Sequence, residues 1–305
     1  MKKIEGLIAA AFSTLNDDHS LDLGVIPALV EKFINDGLKG VFVCGTNGEG
    51  PNLTLEERML VAEAYVKAAN GRLLVMVHVG HTAIGDARKL AAHAQAIGAD
   101  AISAVAAFYF KPASTALLVD SLAEIASAAP QLPFYYYHIP AVTGVSVDMI
   151  DFLSLAEERI PTLAGIKYTA ATIHEYQACL HYKGGKFDIL FGYDELLLSA
   201  LAVGAKGAIG STYNFAAPRY YEVMHHFRAG RLESAQQEQL QLVKMIRAFV
   251  KFSPIPAQKE IMKLCGHNLG PCRLPLAALS TSDQLALRKS LDAIGFPAAA
   301  SPASC

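Results

Sequence analysis

Along roughly the first 230 residues a short apolar run is followed by an amphipathic helical stretch, and this happens about eight times. That alternation leaves the chain very few architectures. The runs lie at 4–12, 40–45, 73–79, 101–105, 133–139, 163–169, 188–191 and 207–210. The helical stretches between and after them lie at 21–36, 54–70, 83–97, 113–128, 147–158, 173–182, 195–203 and 218–229. Nearly continuous apolar strands that alternate with helices belong to a parallel sheet covered on both faces. About eight units in that length fit a closed (β/α)8 TIM barrel better than an open doubly wound sheet. The first run is not followed by G-x-G-x-x-G, which weakens a dinucleotide fold further. Thr54 stands three residues before Glu57 as in a capping box, and Gly37, Gly98 and Gly204 stand where helices need C-terminal caps.

From about residue 231 the alternation stops, and 232–252, 256–265 and 282–294 read as three further helices. The expected organisation is a barrel over 1–230 that carries the active site, with a three-helix extension over 231–305 packed on it. The small, proline-bearing stretch 297–305 is expected to be frayed.

Composition narrows the partners. With 26 basic against 28 acidic residues and no basic cluster, neither nucleic acid nor an anionic membrane surface is expected. No run is long enough to span a bilayer. The 5 cysteines show no C-x-x-C spacing, which points to reduced thiols in a cytoplasmic protein without a zinc site or disulfide frame. Met1-Lys2-Lys3 ahead of 6–12 mimics a short signal peptide, but Glu5 interrupts it and the repeat pattern needs a first strand here.

The sixth run, Leu163-Ala164-Gly165-Ile166-Lys167-Tyr168-Thr169, contains a lysine. Burying an ammonium is costly, and a lowered pKa that leaves a neutral amine relieves the cost. Such an amine attacks a carbonyl carbon to give a Schiff base. The alternative is a lysine at a strand end whose head reaches water or a carboxylate. In a barrel the active site lies at the C-terminal ends of the strands. Those ends carry Gly45-Thr46-Asn47-Gly48, Tyr137-His138, Lys167-Tyr168-Thr169, Gly192-Tyr193-Asp194-Glu195 and Gly210-Ser211-Thr212-Tyr213-Asn214, whereas Lys39 and Lys206 precede their strands. This contrast favours a catalytic Lys167 with a nearby tyrosine to shuttle protons. The Thr46-Asn47 turn suits an anion such as a carboxylate, or is an ordinary glycine turn. Asp194 and Glu195 suit vicinal hydroxyls, or a helix N-terminus that favours negative charge. His78 and His81 stand close enough to suggest a metal, but no carboxylate clusters with them in the sequence.

The motifs Gly45-Thr46-Asn47-Gly48-Glu49, Tyr137-His138-Ile139-Pro140, Gly165-Ile166-Lys167 and Arg273-Leu274-Pro275-Leu276 occur in this order across essentially the whole chain. Together they resemble the pyruvate-dependent class I aldolases of the dihydrodipicolinate synthase and N-acetylneuraminate lyase family. The resemblance implies Lys167 as the Schiff-base lysine and Tyr137 as the proton-transferring tyrosine. It implies Thr46 and Asn47 as carboxylate ligands, and Thr169, Gly192, Asp194, Glu195 and Ser211 as sugar contacts. Tyr109 matches a tyrosine that the family lends across a subunit interface; its alternative is a core aromatic. No cofactor or metal is implied beyond the covalent Schiff base. A small-molecule substrate and a homotetramer are implied.

The strand-seven and strand-eight ends resemble the sialic acid lyase branch, which releases pyruvate and N-acetylmannosamine. Pro140 is followed by Ala141-Val142-Thr143-Gly144, without the arginine that the synthase pattern places there. Other pyruvate-dependent aldolases and sugar-acid dehydratases remain alternatives, and a non-catalytic sugar-acid-binding barrel is opposed by Lys167 and Tyr137. Two positions depart from the family pattern: Asn47 replaces a hydroxyl residue, and Ile255 stands where some lyases place an aromatic.

Overall fold

A computed structural model describes residues 3–296, so the expected fraying of 297–305 lies outside the described residues. Eight parallel strands close into a barrel in sequence order. In the first half, β1 (Gly6–Ala10), α1 (Ile26–Asn35), β2 (Gly40–Val43), α2 (Leu55–Ala69), β3 (Leu74–His78), α3 (Ile84–Ala96), β4 (Ala101–Val105) and α4 (Thr115–Ala126) alternate without exception. In the second half come β5 (Phe134–His138), α5 (Pro140–Thr143), α6 (Met149–Arg159), β6 (Leu163–Tyr168), α7 (Ile173–His181), β7 (Asp188–Phe191), α8 (Leu197–Ala202), β8 (Gly207–Gly210) and α9 (Tyr213–Arg228). Three helices follow: α10 (Leu232–Phe249), α11 (Pro254–Leu264) and α12 (Thr281–Asp292).

The expected (β/α)8 barrel with C-terminal helices is therefore what the chain forms. The capping box closes α2, with Thr54 Oγ1 accepting from Glu57 N and Glu57 accepting from Thr54 N. Gly37, Gly98 and Gly204 take positive φ just beyond their helices, where a Cβ would be strained. Two helix starts differ by several residues: the helix expected from 21 begins at Ile26, after a 3-10 turn over Leu23–Val25. The helix expected at 218 begins at Tyr213, with Pro218 inside it. A proline this close to the start loses only one backbone donor, and burial of Tyr213, Phe215, Ala216 and Ala217 offsets that loss. The short α5 also escaped the sequence reading, because a single turn has no period to detect.

Strand residues alternate between two cores. Outward side chains such as Ile166, Tyr168 and Phe191 pack under the helices. Inward ones, among them Ile8, Phe42, Met76, Tyr135, Tyr137, Leu190 and Ile209, fill the barrel. The period of two puts Gly165, Lys167 and Thr169 on the inward face of the sixth strand and its end. Between β5 and β6 the register shifts beside Ala164, and this brings Tyr137 opposite Lys167.

The extension is tied to the barrel at the C-terminal ends of its strands. Gln239 of α10 donates to the carbonyls of Asp194 and Glu195 (3.3 and 3.2 Å) and accepts from Leu198 N. Lys259 of α11 forms a buried 2.8 Å ion pair with Glu49. The same glutamate accepts from Arg273 N at 2.9 Å.

Candidate active site

Lys167 is 3 % exposed near the top of the barrel. Among the described residues no carboxylate pairs with its ammonium. Burial pulls its pKa down to about 7, against a smaller upward pull from Asp194. Near neutral pH a large fraction of Lys167 is therefore the neutral amine. Its Nζ lies 3.8 Å from the ring centre of Tyr137 and 4.1 Å from that of Phe42. The Tyr137 hydroxyl stands 3.4 Å from Thr46 Oγ1. Burial raises this phenol to about 12, so it is a held proton donor rather than a phenolate.

The turn after β2 is bent by necessity. Cys44 (φ 58°) and Glu49 (φ 51°) are both left-handed, at about 1–3 kcal/mol each. A Cβ on Gly45 would fall 2.4 Å from the Phe42 ring, and one on Gly50 would fall 2.1 Å from Cys44 O. Ser13 Oγ donates to Gly48 O at 2.6 Å, and the Glu49–Lys259 pair holds the far end. The strained turn thus presents Thr46 and Asn47 to the cleft. Part of the donor capacity expected of Asn47 is used within the fold, because its Nδ2 donates to Ala10 O at 3.2 Å. An amide nitrogen carries two hydrogens, so one remains for a ligand.

On the opposite wall, Asp194 is 5 % exposed. Its Oδ2 accepts from Thr212 N at 2.8 Å and lies 2.7 Å from Thr212 Oγ1. Thr212 Oγ1 also lies 2.7 Å from Tyr220 Oη. One hydroxyl has one proton, so a chain runs from Tyr220 through Thr212 to Asp194. Burial nevertheless outweighs these hydrogen bonds and raises the Asp194 pKa to about 6. Two glycines make room for this wall. A Cβ on Gly210 would come 1.7 Å from Asp194 Oδ1, and one on Gly192 would come 2.0 Å from Thr169 Oγ1.

Thr46, Asn47, Thr169, Gly192, Asp194, Glu195 and Ser211 line one cleft, walled also by Ile139, Ile255 and Gln258. Lys167 and Tyr137 lie within the barrel beside it. Thr169 Oγ1 and Gln258 Oε1 are buried without a hydrogen-bond partner, leaving polar atoms unspent at the site. Tyr109 does not join them. It is 77 % exposed, next to an equally open Phe110, and is not the core aromatic of the alternative reading.

His78 is buried, with Nδ1 3.2 Å from Cys44 O, while His81 Nδ1 accepts from Ala83 N. Among the described residues no three His, Cys, Asp or Glu side chains gather as metal ligands. Arg58, also buried, grips His78 O (2.6 Å) and Gly80 O (2.9 Å) and fixes the end of β3. The sequence reading missed Phe42, Gln239, Gln258 and Lys259. Phe42 sits in an unbroken apolar run, and the others act through contacts made only in the folded chain.

Known proteins resemble the chain over nearly its whole length. Residues 3–294 match the model of the dihydrodipicolinate synthetase family. The chain is 41% identical over 287 residues to N-acetylneuraminate lyase of Xenopus tropicalis, covering 92% of this chain and 93% of that one. Two solved structures each superpose with a TM-score of 0.94. The Aliivibrio salmonicida N-acetylneuraminate lyase is 41% identical, covering 97% and 98% of the two chains. The Proteus mirabilis N-acetylneuraminate lyase is 37% identical, covering 97% and 100%. The chain belongs to the dihydrodipicolinate synthetase family of class I pyruvate aldolases.

Proposed function

We propose that the protein is an N-acetylneuraminate lyase that cleaves sialic acid to N-acetylmannosamine and pyruvate through a Schiff base on Lys167. The observation that carries this reading is the buried Lys167 amine, unpaired with any described carboxylate and lowered to about 7, beside a cleft walled by hydroxyl, amide and carboxylate groups. The neutral Nζ adds to the C2 carbonyl of the open-chain sugar acid, and loss of water leaves an iminium. The C4 hydroxyl then gives up its proton and the C3–C4 bond breaks. Its electrons pass to the iminium nitrogen, giving an enamine and the aldehyde of N-acetylmannosamine. Protonation at C3 and hydrolysis release pyruvate and restore the amine.

Tyr137, held protonated, relays these protons, with Thr46 and Asn47 on the substrate carboxylate. Thr169, Gly192, Asp194, Glu195 and Ser211 face the hydroxylated tail, where acceptor oxygens match hydroxyl donors. The lack of an arginine in 141–144 supports the lyase over the synthase. The exposed aromatic loop supports a homotetramer in which Tyr109 reaches the neighbouring subunit's site; a monomer by sedimentation would remove that role. No cofactor is called for in this chemistry, and a cytoplasmic location belongs to the same reading.

The test is to incubate the purified protein with N-acetylneuraminate and measure pyruvate and N-acetylmannosamine. Equimolar release is the expected result. Condensation of pyruvate with aspartate semialdehyde, with sialic acid left untouched, would overturn the substrate assignment.

A further inference from the structure

Phe42 has no role in the chemistry above, yet its ring is nearly as close to the reacting nitrogen as that of Tyr137. Lys167 Nζ lies over the Phe42 face at 4.1 Å and over the Tyr137 face at 3.8 Å. The two ring centres are 5.4 Å apart and the rings meet at 83°. These separations close a triangle with a near-right angle at Nζ, so the nitrogen sits in the corner made by two perpendicular ring faces. Both distances are well inside the roughly 6 Å limit of cation–π attraction.

The corner is built rather than incidental. Phe42 is 1 % exposed, so its ring has one packed position. A side chain on Gly45 would strike that ring at 2.4 Å. The His78 ring backs both aromatics, with centroids 5.9 Å from Phe42 and 5.9 Å from Tyr137. Burial and the nearby Arg58 and Lys167 charges keep this imidazole neutral, so it adds no competing cation.

We infer that the Phe42 and Tyr137 faces form a π corner that stabilises the iminium formed on Lys167, which makes Phe42 a catalytic residue. This rests on the Schiff-base reading above. In forming the iminium, the neutral amine adds to the carbonyl carbon, one proton is taken up, and the carbonyl oxygen leaves as water. The nitrogen is left doubly bonded to carbon, with one hydrogen and a positive charge. Unlike the amine, the iminium cannot shed its charge without losing the electron sink that bond cleavage needs. No described carboxylate pairs with this nitrogen, and Asp194 Oδ2 is already committed to Thr212. The negative faces of two rings supply the missing complement at a buried nitrogen, where such contacts are strongest.

The test replaces Phe42 with 4-fluoro-, 3,5-difluoro- and 3,4,5-trifluorophenylalanine. These residues nearly keep the shape of the ring while withdrawing charge from its face. The equilibrium fraction of imine with pyruvate is read by borohydride trapping and mass spectrometry. The imine-formation constant should fall stepwise with each fluorine, by about tenfold across the series, within the range of a desolvated cation–π contact. Phe42→Leu, which keeps an apolar filler and removes the face, should fall at least as far. A constant indifferent to fluorination would overturn the proposal and return Phe42 to core packing, while trapping at Lys167 still succeeded. Failure of the unsubstituted protein to form an adduct on Lys167 would overturn the Schiff-base reading itself.

Discussion

Lys167→Met is expected to abolish turnover and to make the protein more stable at neutral pH. Loss of activity should be at least about 10⁴-fold, because no other described side chain at the site offers an amine and the electron sink disappears with it. The stability gain follows from the same burial that makes the amine reactive. The folded-state pKa, about 7, lies below the ordinary 10.5. Between those values the unfolded chain binds the proton and the folded chain does not, so wild-type stability rises with pH across that window. At and below pH 7 the cost of holding this lysine is at its greatest, with a ceiling on the order of 5 kcal/mol. Methionine fills similar space without a charge to desolvate. Denaturant titrations should therefore show the variant ahead of wild type by a few kcal/mol at pH 6.5, with the gap closing towards pH 10. A variant no more stable than wild type at pH 6.5 would mean that the lysine is not desolvated. Imine formation should correspondingly speed up as pH rises through about 7, where the attacking neutral form becomes dominant.

Asp194→Ala carries the second large effect, and it falls on two readouts. Its carboxylate is proposed to accept hydrogen bonds from the sugar, so KM for N-acetylneuraminate should rise by about 10- to 100-fold, as for a lost charged hydrogen bond or two. Trapping of pyruvate on Lys167 should change far less, because pyruvate lacks the hydroxylated tail. Sequence alone limits the expectation to substrate binding. The structure adds a stability cost, since Thr212 N–H and the Thr212 hydroxyl would both lose their acceptor in a buried place. A loss of about 2–4 kcal/mol is expected in denaturant titrations. Unchanged KM together with unchanged stability would show that Asp194 neither meets substrate nor holds the β8 end.

The two variants mark what could be read from residues alone. Eight strands were legible because barrel strands are buried on both faces and keep no polar alternation to confuse with helix. Lys167 stood out for the same reason, as the one lysine or arginine within such a run at the end where barrels do chemistry. The cleft residues were legible mainly through motif order. Their geometry was not. Asp194 depends on Thr212 and Tyr220 from the next strand end and helix, and its place depends on the missing side chain at Gly210. The extension reads in sequence only as helices, yet its Gln239 and Lys259 hold two of the turns that form the site. Phe42 could not be told from any other core phenylalanine until Lys167 was found over its face. Pro218 misled for a local reason: proline favours a helix start, and here burial of the preceding aromatic turn outweighs that preference.

The central claim is that Lys167 forms the covalent intermediate, and borohydride reduction in the presence of pyruvate tests it most directly. Peptide mapping should find the reduced pyruvate adduct on Lys167, at an extent that chelators do not lower and that Lys167→Met eliminates. No adduct, or an adduct on a different lysine, would contradict the account.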